Sequence, residues 1–273
     1  MRSGKAGVAF IFVTLVLDIV GLGLVVPVLP ELVASFSGGV SSGSPTYGVF
    51  VAAYALMQFL FSPVLGSLSD RYGRRPVLLA SLFGGFLDYV LLAVAPTLWL
   101  MFVARLIAGI SGASITTANA YIADVTPADK RAQAFGIVGA AFGIGFIIGP
   151  ALGGALGAMD PRAPFWAAAA LTAANWLYGY LVLPESLPPE RRRAFSWRRA
   201  NPVGALGALT RLPVVAAMAA VLLLSNLAQR GLETTWVLAN TLRFDWGPAQ
   251  NGLSLAFVGL MVAVVQGGLI RRI

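Results

Sequence analysis

Long apolar runs separated by short polar connections set the plan of this chain. Eight runs stand out, at 7–29, 47–68, 76–95, 98–121, 134–158, 164–183, 213–239 and 250–270. Each is close to the roughly 20 residues an α-helix needs to cross a bilayer. In lipid the backbone finds no water to bond with, so such segments are predicted to be helical. The pattern predicts an all-α transmembrane protein in three parts: a six-helix bundle over 1–183, a basic cytoplasmic linker over 184–212, and two further helices over 213–273. A six-plus-two arrangement is odd for a symmetric membrane fold and reads as an incomplete chain.

Composition narrows the picture. Of 273 residues, 58% are hydrophobic and 11% charged, against about 25% charged in a soluble domain. Soluble enzymes, disordered tails and collagen-like repeats are excluded. The chain has neither Cys nor His. That removes disulfides, thiolate nucleophiles, Cys/His zinc sites and His general bases, and neither a metal nor a cofactor is expected. Gly39-Val40-Ser41-Ser42-Gly43 matches a nucleophile-elbow pattern. Without His it completes no serine triad, and it is read as a polar Gly/Ser loop. No enzymatic activity is expected.

The net charge of +8 changes meaning once its distribution is seen. Fifteen of the nineteen Lys and Arg residues fall at the chain ends or in alternate connections, which marks those connections as cytoplasmic. Only Arg162 and Arg243 fall on the opposite side, and Arg105 and Arg230 lie inside runs. Both chain ends, the N-terminus included, are therefore predicted to be cytoplasmic, in a multi-pass cell-membrane protein. The basic balance needs no nucleic-acid partner. Met1 to Lys5 followed by an apolar run imitates a signal peptide, but Asp18 interrupts the run, so it is read as a retained first helix. In the linker, Glu190 to Arg193 reads as a topogenic block, while Phe195, Trp197, Arg198 and Arg199 suit an interfacial position at the lipid headgroups.

Charges inside the runs carry the candidate chemistry, because a charge at the bilayer centre costs at least about 2.5–3.5 kcal/mol. Asp18, Gln58, Asp88 and Arg105 lie in the first four runs, and Arg230 and Glu233 in the seventh. Arg105 is expected to offset Asp18 or Asp88 across the bundle, and Arg230 to pair locally with Glu233 three residues on. A carboxylic acid in a low-dielectric cavity can load and unload a proton near neutral pH. These residues are read either as buried ion pairs that fix helix register or as a wet cavity exchanging protons.

Ala141, Gly145, Gly149, Gly153 and Gly157 place a small residue every four positions of the fifth run. That lines one helix face with almost no side chain, so another backbone can approach. Pro150 removes a helix hydrogen bond and allows a bend. Gly145, Gly149, Pro150, Gly153 and Gly154 together make a candidate hinge. Pro27 and Pro30 suggest a bent outer end to the first run. Between the second and third runs, Gly66, Asp70, Arg71, Gly73, Arg74 and Arg75 form a short connection dense in both charge signs. Gly66 is expected to allow close helix approach, Gly73 the turn, and Asp70 with the arginines a set of ion pairs that make and break.

That connection resembles the signature loop of the major facilitator superfamily. Arg105-Leu106-Ile107-Ala108-Gly109-Ile110-Ser111-Gly112 resembles the family's fourth-helix motif, and Gly145 to Gly154 its fifth-helix antiporter motif. Gly21 to Pro30 resembles the first-helix motif of twelve-helix drug:proton antiporters. Leu17-Asp18, Tyr54 to Gln58, Leu87-Asp88-Tyr89 and Trp236-Val237-Leu238 make the chain similar to the tetracycline-resistance group. The resemblance implies a proton-coupled efflux antiporter working by alternating access, with protons and a small amphipathic molecule as its partners and the lipid bilayer around it. It maps Asp18, Asp88 and Arg105 to charged transport residues, Gln58 to a cavity wall where Asn119 is grouped with it, and the Asp70 connection to a cytoplasmic gate. Val262 stands where several tetracycline pumps carry His. The other readings are a uniporter or importer, and an inactive truncated membrane protein.

Overall fold

The computed structural model describes residues 2–112, 114–197, 200–202, 204, 207 and 213–265. Among these the fold is all helical, with no strand. The helices are α1 (Arg2–Val25), α2 (Leu29–Phe36), α3 (Val40–Tyr72), α4 (Arg74–Val94), α5 (Leu98–Gly112), α6 (Ser114–Val125), α7 (Arg131–Met159), α8 (Ala163–Val182), α9 (Pro213–Phe244) and α10 (Pro248–Val264). Among the described residues each apolar run is helical over most of its length, because a segment in lipid closes its own hydrogen bonds. Six stretches are long and apolar enough to cross a membrane. They are Ile11–Phe36, Val40–Tyr72, Arg74–Val94, Leu98–Val125, Ala128–Met159 and Pro213–Phe244. Helix α8 buries Thr172 and Asn175 and packs on α1 and α4. Helix α10 is a shorter apolar helix.

The outer surface is what a bilayer solvates. Leu56, Phe59 and Leu60 on α3, Leu181 on α8 and Leu222, Leu223 and Leu224 on α9 are all exposed. In water an apolar face of this extent would drive association. Inside, the apolar core divides into two clusters. One gathers Val25, Val28, Val33, Phe50, Leu92, Met101 and Phe165. The other gathers Ile11, Leu15, Leu78, Tyr121, Ile122 and Ala141. Along α1, Asp18 falls between Leu15 of one cluster and Val20 of the other.

Two expectations are corrected. First, Val40 to Gly43 is not a loop: it forms the first turn of α3, opened by Gly39 at φ 124°. The segment is helical because Gly43 lies directly on α2, where a Cβ would stand 2.6 Å from the Cα of Ala34. Second, Gly66 is not a site of close backbone approach. A Cβ there would meet only the Thr116 methyl, at 3.9 Å. Helix α7 runs on through Pro150, which lies inside it. Near the outer end of the first run the chain does break, with a turn at Val26–Val28 before α2 begins. Arg198, Arg199, Arg211 and the closing stretch with Arg271 and Arg272 lie outside the described residues.

Candidate functional site

The fifth-run glycines do bring backbones together, and they serve two neighbours. Gly145, Gly149 and Gly153 face α1: a Cβ on Gly149 would stand 2.7 Å from the Cα of Gly23, and one on Gly145 2.6 Å from Ile19 Cγ2. Gly154, one residue round the helix, faces α10, where its added Cβ would lie 3.0 Å from the Cα of Gly252. Small residues on both partners are what let α7 sit between α1 and α10. The same logic joins α5 to α3. A Cβ on Gly109 would meet the Tyr54 carbonyl oxygen at 2.5 Å, and one on Gly112 the Tyr54 hydroxyl at 2.7 Å. Gln58 Nε2 donates to the Gly112 carbonyl at 3.1 Å, so the two motif glycines of α5 hold Tyr54 and Gln58 in place.

Arg105 meets Asp88. Its Nη2 donates to both carboxylate oxygens. The side chains are 11% and 3% exposed, so the ions are held out of water and depend on each other. Of the two acids open to Arg105, the structure selects Asp88 on α4 and leaves Asp18 aside. Asp18 is half-buried, and no hydrogen bond or ion pair joins it among the described residues. Asn119 on α6 is half-buried. Arg230 and Glu233 pair at 3.0 Å, as the spacing predicts.

At one end of the bundle, α3 and α4 meet across the single residue Gly73, whose φ of 106° suits glycine. Arg74 pairs with Asp70 at 2.7 Å and with Asp124, at the end of α6, at 3.0 Å. Its Nη1 also donates to Ser69 Oγ at 2.5 Å. Glu185, just beyond α8, accepts from the backbone N–H of Arg74 at 2.8 Å and of Arg75 at 3.3 Å. Those N–H groups open α4, so a carboxylate satisfies them and meets the positive end of the helix dipole. The linker joins in: Arg193 N–H donates to the Asp70 carbonyl at 2.9 Å, and Arg192 stands 4.0 Å from Glu185. Arg75 reaches the Tyr180 carbonyl at 2.6 Å. Arg71 takes no part in the pairing and lies over the Tyr72 ring at 5.0 Å.

The other end of α4 is held as well. Arg162, in the turn before α8, donates to the carbonyls of Ala93 and Ala95 at 2.9 and 2.8 Å. An acid closes the N-terminus of α4 and a base its C-terminus, both from the segment that contains α8. Sequence reasoning missed Asp124, Glu185 and the role of Arg162. A signal existed: Pro184-Glu185-Ser186 sets an acid directly at a helix end, ahead of the basic run Arg191 to Arg193. Which helix it would close was not legible.

Comparison with known proteins gives the family. The family model described as Major Facilitator Superfamily matches residues 11–273. The tetracycline resistance protein of class C from Escherichia coli is 45% identical over 266 residues, covering 97% of this chain and 66% of that protein. The class D protein from Salmonella ordonez is 38% identical over 273 residues, covering 98% and 68%. The chain thus spans about two thirds of the length of these relatives. Among solved structures, the human organic anion transporter MFSD10 (TETRAN) superposes with a TM-score of 0.80 at 28% identity, covering 99% of this chain and 73% of that one. A bacterial homologue of the human lysosomal transporter Spinster, inward-facing, superposes with a TM-score of 0.73 at 14% identity, covering 94% and 59%, and shows a shared fold. On these grounds the chain belongs to the major facilitator superfamily.

Proposed function

We propose that this protein is a secondary active transporter that exports a small amphipathic compound in exchange for protons. The observation that carries the reading is Asp18, a half-buried carboxylate with no ion-pair partner among the described residues, in a bundle whose Arg105 is already held by Asp88. A buried acid that already has an Arg gives up that pairing at a high cost. An acid without one exchanges a proton for a cationic group on a substrate with little structural consequence. Asp18 is therefore the proton-coupling group, and Arg105 with Asp88 holds the helices around it. Gln58 and Asn119 line the substrate path.

Transport proceeds by alternating access. Residues 1–183 move as one six-helix half, joined by the 184–212 linker to a second half that begins at 213. The glycine face of α7, with Gly145, Gly149, Pro150, Gly153 and Gly154, is the sliding surface. The Asp70–Arg74–Asp124–Glu185 network is the cytoplasmic gate, with the N-terminus on the same side. Gly66, Gly73, Arg71 and Arg75 shape and flank it.

The test uses everted membrane vesicles with tetracycline as the probe. Asp18→Asn is expected to abolish tetracycline-driven proton release while the protein stays folded and membrane-inserted. Undiminished proton movement in that variant removes Asp18 from the mechanism. No proton movement in the parent protein, with tetracycline uptake intact, favours a uniporter.

A further inference from the structure

Thr172, on α8, is 2% exposed, and its Oγ1 has no hydrogen-bond partner among the described residues. A helical Thr can return its hydroxyl to a carbonyl one turn back, and Thr172 does not. Two glycines show how its side chain is turned. A Cβ on Gly85 of α4 would meet the Thr172 methyl at 3.7 Å. A Cβ on Gly21 of α1 would meet Thr172 Oγ1 at 3.5 Å and the hydroxyl of Tyr89, from α4, at 3.7 Å. The notch that Gly21 leaves where α1, α4 and α8 meet is therefore faced by two hydroxyl groups. The seam between α1 and α8 carries further polar atoms. Thr14 Oγ1 and Asn175 Oδ1 are buried without a partner among the described residues, although Asn175 Nδ2 donates to the Thr14 carbonyl at 3.0 Å. Asp18 belongs to the same face of α1, four residues after Thr14 and three before Gly21. Cβ positions at these spacings lie about 5–6 Å apart on a helix, so the notch is within reach of the Asp18 carboxyl. Buried polar groups are paired by protein or by internal water, and such a water needs roughly two to four polar partners.

We propose that the Gly21 notch binds an internal water that is the hydrogen-bond partner of Asp18. Thr172 Oγ1, the Tyr89 hydroxyl and the Asp18 carboxyl are the groups that hold it. To the charged carboxylate the water donates, while it accepts from the Tyr89 hydroxyl. From the protonated carboxyl it accepts, and its own hydrogen turns to Thr172 Oγ1. Water and hydroxyl groups both donate and accept, so this cluster serves Asp18 in either protonation state. An Arg in the same place would hold only the charged form. Thr172 and Tyr89 are positioning residues, and the proton is taken up and given back by Asp18 itself. The inference deepens the proposed transport reading and rests on it for the role of Asp18 in coupling.

Infrared difference spectra of the purified protein in lipid nanodiscs, acidic minus neutral, test this without substrate or transport. The Asp18 carboxyl band is the one that Asp18→Asn removes. In the parent it should be accompanied by an O–H stretching band that shifts in oxygen-18 water. Gly21→Ala puts a Cβ into the notch at ordinary contact distances from Thr172 and Tyr89, so the fold is kept and the water is displaced. The oxygen-18-sensitive band should then be lost, and the Asp18 carboxyl band should move to higher wavenumber, as a carbonyl does when it loses a hydrogen bond. Thr172→Val keeps the shape of the side chain without its hydroxyl and should give the same two changes. Thr172→Ser keeps the hydroxyl and should retain the parent spectrum, which a purely packing role would not produce. The proposal is overturned by a parent with no oxygen-18-sensitive band or no carboxyl band that Asp18→Asn removes. It is equally overturned by a water band that survives Gly21→Ala, or by Thr172→Ser and Thr172→Val spectra that match. The transport reading fails separately: undiminished tetracycline-driven proton movement in Asp18→Asn vesicles removes Asp18 from coupling and leaves the water site standing.

Discussion

Arg105 on α5 donates to both carboxylate oxygens of Asp88 on α4, while Asp18 on α1 has no ion-pair partner among the described residues. The bundle thus contains one buried acid that is spoken for and a second, half-buried acid that is open. Removing one member of a buried pair strands the other, at a cost of about 3–5 kcal/mol. Arg105→Gln alone and Asp88→Asn alone should each lower the thermal unfolding midpoint in detergent sharply. The double variant Arg105→Gln/Asp88→Asn should recover part of that loss, since no charge is left unpaired. Additive losses in the double variant would mean that the two side chains do not depend on each other.

Asp18→Asn should behave differently in the same stability measurement. It removes no ion pair among the described residues and keeps the size of the side chain, so its cost should fall at the low end of the roughly 0.5–3 kcal/mol that single substitutions cost. An unfolding midpoint close to the parent's, together with lost proton coupling, is the expected outcome. A large drop in stability would place Asp18 among the structural residues.

The α1–α7 contact should be intolerant of a single methyl group. Gly149→Ala and Gly23→Ala place a Cβ at 2.7 and 2.9 Å from the facing backbone. Overpacking of this kind costs about 1–3 kcal/mol. Gly139→Ala and Gly143→Ala lie on the same helix with nothing within 4 Å of the new atom. They should be neutral or slightly stabilising, because Ala favours helix over Gly by up to about 1 kcal/mol. Equal sensitivity at all four positions would show that helix propensity, not contact with α1, is being measured.

Both ends of α4 are expected to matter for stability. Glu185→Ala frees the N–H groups of Arg74 and Arg75, and Arg162→Ala frees the carbonyls of Ala93 and Ala95. Each should cost about 1–2 kcal/mol, the scale of a lost helix cap with a charge at the helix end. Glu185→Gln, which keeps an acceptor, should be milder than Glu185→Ala. Identical effects of the two Glu185 variants would rule out the capping role.

The absence of Cys makes the polar path open to direct labelling. A single Cys at Asn119 should react with a membrane-impermeant thiosulfonate, and tetracycline should slow that reaction. A single Cys at Leu223, exposed on α9 among leucines, should stay unreactive. Labelling of Leu223→Cys in place of Asn119→Cys would put the water on the wrong side of the bundle.

Much of the fold was legible in the residues alone. Apolar runs of spanning length have one stable backbone conformation in lipid, so 76–95 became Arg74–Val94 and 164–183 became Ala163–Val182 with little adjustment. The i, i+4 glycine ladder read correctly as a close-contact face, and Arg230 with Glu233 as a local pair, because a helix brings such positions together wherever it lies. What the tertiary structure decided was every choice between distant partners. Whether Arg105 meets Asp18 or Asp88 depends on how three helices turn relative to one another. That Glu185 closes a helix beginning 111 residues earlier, that Gly154 meets Gly252 while Gly153 meets Leu24, and that Val40 to Gly43 winds into α3 against Ala34 are likewise settled by packing. Local hydrophobicity and backbone hydrogen bonding act over a few residues and determine that helices form. Charge pairing and side-chain volume act through space, and only the assembled bundle says which groups come within reach.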